Sequence, residues 1–189
     1  FNSLNSIGDY ILKSDNETAL EYLTKFAKLM RMVLENSENK SIPLEEDLKF
    51  LELYLQVEAK RQPGKFSYCI EVDEGLDTAN TLVPRLLLQP FIENSIWHGF
   101  RDKDGPGHIL VHIREDHDLL LCSVEDNGKG IRFSENGNAT KKSFGVAITE
   151  NRLEILNKQQ NKKGKLQIID LGEQQGTRIE ISIPLDRLF

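Results

Sequence analysis

Residues 119–130 have the sequence Leu-Leu-Leu-Cys-Ser-Val-Glu-Asp-Asn-Gly-Lys-Gly, an alternating apolar stretch that leads directly into a glycine-containing turn. Alternation with a period of two predicts a strand with one buried face, and Asp126 falls on that apolar face. A carboxylate there needs a partner, and it could accept a hydrogen bond from an exocyclic amine such as that of adenine. Gly128 and Gly130 would let the backbone come close to a flat ligand. An ordinary Asp-Asn-Gly turn is the alternative interpretation.

The sequence on both sides of this strand predicts further strands and two helices. The hydrophobic period changes from helical to alternating at Lys65, where a half-buried strand begins. Further strands are predicted near 109–114, 119–125, 166–171 and 178–183, and helices over 86–98 and from Val146. A short polar turn separates the strands near 109–114 and 119–125, which favours a hairpin. The pattern predicts a two-layer α/β sandwich of the α+β class with much antiparallel pairing, and not a doubly wound parallel sheet.

The first third of the chain is predicted to be helical. Apolar residues at three- and four-residue steps indicate two helices, and Ser14 with Glu17 forms a capping-box pattern between them. The second helix has an apolar stripe too wide for one neighbour, so we expect it to be buried on two sides. A third helix is predicted after Pro43, with acidic residues in its first turn. We place the domain boundary between a helical part at 1–62 and a larger domain at 63–189.

Composition and charge exclude several classes of protein. The 189 residues include 24 basic and 30 acidic side chains, and the net charge of −6 argues against a nucleic-acid surface and against binding to anionic lipid. Cys69 and Cys122 lie far apart, without the spacing of a zinc site or a disulfide framework. The sequence has no apolar run long enough to span a bilayer and no signal peptide. It begins at Phe1 in helical register, so we expect a soluble fragment of a longer protein.

A second group of polar residues lies in residues 89–100, a stretch with a helical pattern. Asn94 and His98 are four residues apart and would share one helix face, giving an amide oxygen for a hard cation and an imidazole for a phosphate. The alternative for His98 is a cation at a helix C-terminus that Gly99 caps. Trp97 is expected to pack against the protein and not to stack on a ligand.

Two further elements have the character of a nucleotide site. Residues 128–143 are rich in glycine, asparagine, serine and lysine, and Gly145 follows them just before a predicted helix. A glycine-containing loop that leads into a helix N-terminus presents free amides to phosphate groups. Thr177 follows Gly176 and lies on the inward face of the last strand, so its hydroxyl points toward the core. A threonine at the start of a strand is the alternative.

In their order and spacing these elements resemble the nucleotide-binding motifs of the GHKL superfamily, which includes histidine kinases and gyrase-type topoisomerases. The resemblance implies the Bergerat ATP-binding fold, a mixed and mostly antiparallel sheet with helices on one face, preceded here by a helical segment. It implies ATP and Mg²⁺ as ligands, with Asn94 holding the metal and Asp126 contacting adenine. The implied nucleotide-binding residues are Asn94, His98, Asp126, Gly128, Gly130, Gly145 and Thr177.

Within that superfamily the chain is similar to sensor histidine kinases of the LytS type. The similarity is carried by Leu87-Leu88-Gln89-Pro90, by Glu93-Asn94-Ser95-Ile96 and by the opening Phe1-Asn2-Ser3-Leu4-Asn5, which resembles the segment just after the phosphorylated histidine. It implies an ATP-dependent protein-histidine kinase of a two-component system. The phospho-accepting histidine would lie upstream of Phe1, so no catalytic residue is assigned within this chain.

The same resemblance implies partners and a location for the longer protein. The phosphoryl group would pass to an aspartate of a response regulator, of the LytTR type. We expect a homodimer that is anchored by upstream segments to the bacterial inner membrane, with this part on the cytoplasmic side and no nucleic-acid partner.

Three positions depart from the family pattern, and two alternatives stay open. Trp97 stands where a basic residue is usual, Ser143 replaces a glycine and Ile148 replaces an asparagine. One alternative is a degenerate GHKL protein that serves as a dimerisation and signalling scaffold. The other is a GHKL ATPase, which would need a glutamate four residues before Asn94, where this chain has Pro90.

Overall fold

The computed structural model describes residues 2–35, 41–101, 103–130, 146, 149–151, 153–154, 164–172 and 175–188. The helices in these ranges are α1 (Asn2–Leu12), α2 (Asn16–Glu35), α3 (Leu44–Arg61) and α4 (Gln89–Asn94), and α4 continues into a π-helical turn at Ser95–Gly99. The strands are β1 (Ser41–Pro43), β2 (Phe66–Val72), β3 (Thr81–Pro84), β4 (Gly107–Asp116), β5 (Leu119–Asp126), β6 (Lys165–Asp170), β7 (Thr177–Pro184) and β8 (Asp186–Arg187).

The strands form two sheets. The larger sheet has the order β2-β4-β5-β7-β6, in which β2 and β4 are parallel and the other neighbours are antiparallel. Strands β4 and β5 form the predicted hairpin, with Ile109 opposite Asp126 at its open end. Strands β1, β3 and β8 form a small antiparallel sheet. The predicted α+β class, with a mixed and mostly antiparallel sheet, is confirmed.

The core lies between the larger sheet and the helices α3 and α4. Along β5, buried side chains alternate with half-buried ones, as in a strand that packs on one face. Ile109, Val124 and Ile181 from the sheet lie in one apolar cluster with Leu55 of α3 and Ile92 of α4. This packing brings the carboxyl end of β5 close to the end of α4, which is where the polar residues of the candidate site meet.

Strand β1 and helix α3 precede the proposed boundary after residue 62, yet both make contacts with the larger domain. Strand β1 pairs with β3 in antiparallel orientation, and Ile42 lies opposite Val83. The apolar face of α3 belongs to the same cluster as the large sheet. The division into a helical part at 1–62 and a domain at 63–189 stays a prediction. Cutting the chain after residue 62 would separate β1 and α3 from the sheets that they contact.

Asp15, and not Ser14, caps the second helix. The side chain of Asp15 accepts a hydrogen bond from the Thr18 amide at 3.2 Å. Ser14 has a positive φ of 59°, because it closes the turn after α1, and it cannot take the extended conformation of an N-cap residue. The helix start was therefore predicted at the right place, but the capping box between Ser14 and Glu17 is wrong.

Among the described residues, helix α2 is covered on one side only. Its buried residues are Ala19, Tyr22 and Leu29. Four apolar side chains of the same helix are exposed: Leu20, Leu23, Met30 and Leu34. The expected burial on two sides is thus not provided by the residues that the structure describes, and an exposed apolar strip of this kind is typical of a surface that contacts another protein.

Helix α3 begins with a buried acid that anchors the segment before α4. The carboxylate of Asp47 accepts a hydrogen bond from the Leu86 amide at 2.9 Å. Leu86 has a positive φ of 55°, which a helix does not accommodate. The helix predicted from residue 86 therefore begins only at Gln89.

Replacing Asp47 with alanine should lower the free energy of unfolding by about 1–3 kcal/mol, because the Leu86 amide loses its buried acceptor. Chemical denaturation measures this difference. Glu46 is exposed in the same helical turn and is the matched control, with an expected change within about 0.5 kcal/mol for Glu46→Ala. Equal effects of the two substitutions would contradict the assigned role of Asp47.

Candidate functional site

Asp126 is the centre of the polar cluster at the end of β5. Its side chain is buried, with 8% of the residue surface exposed. The Ser95 hydroxyl donates a hydrogen bond to Oδ2 at 2.7 Å, and the Gly128 amide donates to Oδ1 at 2.8 Å. The inward orientation that strand parity predicts is therefore present, and the carboxylate is held by donors from two separate segments.

The environment of Asp126 changes its acidity. Burial raises the pKa of the Asp126 carboxyl above its usual value, and the nearby charge of Glu125 adds to this shift. Hydrogen bonds from the Ser95 hydroxyl and from the backbone amides of Gly128 and Thr177 act in the opposite direction. These donors stabilise the ionised carboxylate, but the effect of burial is larger, so the net shift of the Asp126 pKa is upward.

Thr177 lies beside Asp126 in the sheet. It is the first residue of β7, it pairs with Asp126 in the register of β5 and β7, and it is buried. The structure thus brings together two residues that are 51 positions apart in the sequence and that were both predicted for the site (177 minus 126). The threonine also lies at a strand start, so the alternative interpretation is compatible with the same geometry.

The glycines of the turn allow backbone segments to approach one another. A Cβ on Gly128 would lie 2.7 Å from both Asp126 Oδ1 and the Gly99 carbonyl oxygen. Gly130 has a positive φ of 76°, and a Cβ there would lie 2.9 Å from an oxygen of Asp170. These glycines were predicted to make room for a ligand, but the close neighbours in the structure are the protein's own atoms.

Asn94 and His98 lie on either side of the change from α-helix to π-helical turn. Asn94 is half-buried at the end of α4, and His98 is exposed within the turn. The turn is closed by a hydrogen bond from the Phe100 amide to the Ser95 carbonyl at 2.9 Å. Because such a turn holds one residue more than an α-turn, the simple four-residue helical spacing that was predicted is altered here.

Ser95 and Gly99 are site residues that the sequence did not reveal. Ser95 donates to Asp126, and the Gly99 carbonyl accepts a hydrogen bond from the Lys129 amide at 3.1 Å. A serine in a helical pattern has many possible partners, and nothing in the sequence connects it with a strand 31 residues later. The role of Ser95 becomes visible only in the structure, where the π-helical turn contacts the end of β5.

Trp97 packs against helix α3, as expected. The guanidinium carbon of Arg61 lies 4.3 Å from the centroid of the Trp97 ring, and the indole is a near neighbour of the Tyr54 hydroxyl. Desolvation raises the pKa of Tyr54, and Glu58 adds to the shift, so Tyr54 stays neutral. Gly145, Ser143 and Ile148 lie outside the described residues.

Solved structures with a similar fold are histidine kinases. A histidine kinase domain from the blue-light activated kinase EL346 of Erythrobacter litoralis matches with a TM-score of 0.60 and 19% identity, covering 87% of this chain and 75% of that chain. The Acinetobacter baumannii histidine kinase AdeS matches with a TM-score of 0.55 and 15% identity, covering 97% of this chain and 91% of that chain. The architecture is thus that of a histidine kinase catalytic domain with helices before it.

Sequence relatives agree with this fold. The sequence model of the histidine kinase family matches residues 1–66. Sensor protein LytS of Staphylococcus saprophyticus is 31% identical over 193 aligned residues, covering 100% of this chain and 32% of the relative. Sensor protein LytS of Bacillus cereus is 31% identical over 154 residues, covering 78% of this chain and 26% of the relative.

The chain is homologous to the LytS sensor proteins of the histidine kinase family. It spans about a third or less of the length of these two LytS relatives. Within the described ranges, no helix has both the length and the apolar character that crossing a bilayer requires.

Proposed function

We propose that this chain binds Mg-ATP at the Asp126 site and acts as the catalytic part of a protein-histidine kinase. The observation that carries the proposal is the buried Asp126 carboxylate, held by Ser95 and Gly128 at the edge of the sandwich. Homology to the LytS sensor proteins of the histidine kinase family makes a nucleotide the expected ligand.

Asp126 has the capacity to contact adenine. An ionised carboxylate offers about four lone-pair sites. Hydrogen bonds from Ser95 and Gly128 use two of them, and the Thr177 amide is a further neighbour, which leaves room for another donor. The exocyclic amine of adenine is such a donor, and a buried acceptor discriminates strongly against ligands that lack it. Thr177, beside Asp126 in the sheet, would contact the same base.

The phosphates would lie along the π-helical turn and the glycine segments. His98, Gly130 and Gly145 are the proposed phosphate neighbours, and the amide oxygen of Asn94 is the proposed metal ligand. Among the described residues, no group of three or more His, Cys, Asp or Glu side chains could hold a metal ion. A magnesium ion would therefore depend on Asn94, on the nucleotide phosphates and on water, which is how Mg²⁺ usually binds with nucleotides.

Asn94→Ala should weaken Mg-ATP binding about tenfold and metal-free ATP binding much less, because the amide oxygen contacts the ion and not the base. Calorimetric titrations of the same variant with and without Mg²⁺ provide the comparison. An equal loss under both conditions would make Asn94 a structural residue.

The phosphoryl group would be transferred by positioning and charge neutralisation. The γ-phosphate of bound ATP is presented to a histidine upstream of Phe1, and Mg²⁺ neutralises charge on the phosphates. A response-regulator aspartate, of the LytTR type, would then receive the group. One solved neighbour of similar fold, histidine kinase ThkA, is in complex with response regulator protein TrrA, with a TM-score of 0.50 and 17% identity.

The exposed apolar strip of α2 supports a homodimer of the longer protein. Leu20 and Leu34 have 66% and 68% of their surface exposed. A second copy of α2 would bury this strip, as the width of the apolar stripe requires. Upstream segments would anchor the dimer to the inner membrane, with this part on the cytoplasmic side.

A signalling scaffold without kinase activity is the second candidate. Trp97 favours the scaffold, because an indole ring packed under Arg61 stands where a cation could bind phosphate. Titration of the chain with Mg-ATP and Mg-ADP separates the two candidates. Saturable binding at micromolar to millimolar nucleotide supports the kinase, and no detectable binding by a folded protein supports the scaffold.

A further inference from the structure

Side chains of α3 hold Trp97, the middle residue of the π-helical turn. The Arg61 guanidinium covers one face of the ring at 4.3 Å, and the Tyr54 hydroxyl is a near neighbour of the indole. The carboxylate of Glu58 in turn holds Arg61, with the Nε atom 3.2 and 3.1 Å from its two oxygens. These three residues of α3 follow one another at four- and three-residue steps, so they share one face of the helix.

The contact between Arg61 and Trp97 fixes the orientation of the indole ring and buries little apolar surface. Glu58 is 6% exposed, whereas Trp97 is 40% exposed. A buried carboxylate is costly unless it is paired, and here Glu58 fixes the guanidinium plane that stacks on the ring. A guanidinium over an indole at a partly desolvated position contributes about 1–2 kcal/mol. That is enough to select one conformation of a short turn.

The π-helical turn connects Trp97 with Asp126. Two residues before Trp97, the Ser95 hydroxyl donates to Asp126 at 2.7 Å. Two residues after it, the Gly99 carbonyl accepts from the Lys129 amide. A turn with an i to i+5 hydrogen bond is rare and is found frequently at functional sites. If it relaxed to α-helical spacing, Ser95 would rotate away from Asp126.

We propose that Arg61 is a positioning residue for the nucleotide site, which acts through Trp97 to hold the π-helical turn in the register where Ser95 reaches Asp126. The expected effect on nucleotide binding rests on the function proposed above. The effect on Asp126 itself does not, because the contact with Ser95 belongs to the protein alone. The competing explanation is that Arg61 binds the phosphates directly as a cation.

The test uses two variants that leave Glu58 with a cation nearby. Arg61→Lys keeps the charge but loses the planar group that both stacks on the ring and binds Glu58 with two contacts. Trp97→Leu removes the ring and leaves Arg61 and Glu58 paired. Arg114→Lys is the matched control, since Arg114 is exposed on β4. Calorimetry with adenosine and with metal-free ADP should show that both ligands weaken about five- to tenfold in each of the two variants and not in the control.

The second readout is the titration of the Asp126 carboxyl, followed by carbon-detected NMR without any nucleotide. Loss of the Ser95 hydrogen bond should raise the pKa of Asp126 in Arg61→Lys and Trp97→Leu, while Glu125, Gly128 and Thr177 are unchanged in all variants. An unchanged pKa overturns the proposal, and so does a loss of affinity for ADP but not for adenosine, which would indicate direct phosphate binding by Arg61. If the parent protein binds neither ligand, the proposed function fails, and a raised pKa still supports the positioning role.

Discussion

Asp126→Asn should lower the affinity for ATP and ADP by about 10- to 100-fold while the protein stays folded. A hydrogen bond to a charged acceptor contributes about 1.5–3 kcal/mol, and the amide loses both the charge and one acceptor position. The fold should persist, because an asparagine at 126 can still accept from the Gly128 amide. Its amide nitrogen can donate to the oxygen of the Ser95 hydroxyl. The Ser95 hydroxyl can then donate its own proton to the Phe91 carbonyl, which lies 3.1 Å away.

The stability of the same variant follows from the direction of the pKa shift. Because the pKa of Asp126 is raised in the folded protein, its ionisation is less favourable there than in the unfolded chain. Stability due to this group is therefore fully present below the unfolded pKa of about 3.9, and it is lost as the pH rises from that value through the higher folded pKa. At neutral pH, Asp126→Asn should be at least as stable as the parent protein.

Glu125→Gln is the matched control for Asp126→Asn. It also removes one negative charge, from the adjacent residue of the same strand, but Glu125 lies on the opposite face and pairs with Arg178. Its nucleotide affinity should equal that of the parent protein. Equal affinities of the parent and a folded Asp126→Asn variant would show that Asp126 does not contact adenine.

Gly176→Ala should destabilise the protein by at least about 3 kcal/mol, or prevent folding. Gly176 has a positive φ of 93°, and a Cβ there would lie 1.7 Å from the carbonyl oxygen of Asp126 and 2.6 Å from its carbonyl carbon. Both are backbone atoms of the β5 end, so no side-chain rotation can relieve the overlap. Relief would require β5 and β7 to separate where Asp126 and Thr177 pair.

Gly75→Ala is the matched control for the backbone conformation alone. Gly75 has a positive φ of 94°, nearly the same as Gly176, but a Cβ there has no neighbour within 4 Å. The expected cost is about 1–2 kcal/mol, which is the strain of the left-handed conformation for a residue with a side chain. Thermal or chemical unfolding of both variants gives the comparison, and similar losses would contradict the close contact at Gly176.

The periodic parts of the fold could be predicted from sequence because each depends on local alternation. The hairpin of β4 and β5 and the inward position of Asp126 both follow from a period of two between short turns. Helix α2 and helix α3 follow from the apolar steps and from Pro43. The resemblance to a known family then connected Asp126 with Thr177, which strand patterns alone do not pair.

Other features depend on contacts that local sequence does not encode. The π-helical turn at Ser95–Gly99 is held by Trp97 on one side and Asp126 on the other, and both contacts are long-range. The late start of α4 depends on the buried Asp47, which looked like an ordinary acid at a helix N-terminus. The exposed strip of α2 could be predicted as apolar, but none of the described residues covers it.

Transfer of phosphate from ATP to a histidine is the reaction that defines a protein-histidine kinase. A longer form of the protein, which includes the proposed acceptor histidine upstream of Phe1, is incubated with Mg-ATP labelled at the γ-phosphate. We expect labelled protein whose phosphate is stable in base and lost in acid, as is typical of phosphohistidine, and little label in the Asp126→Asn variant. A folded protein that binds Mg-ATP but acquires no such label would contradict the assignment as a histidine kinase.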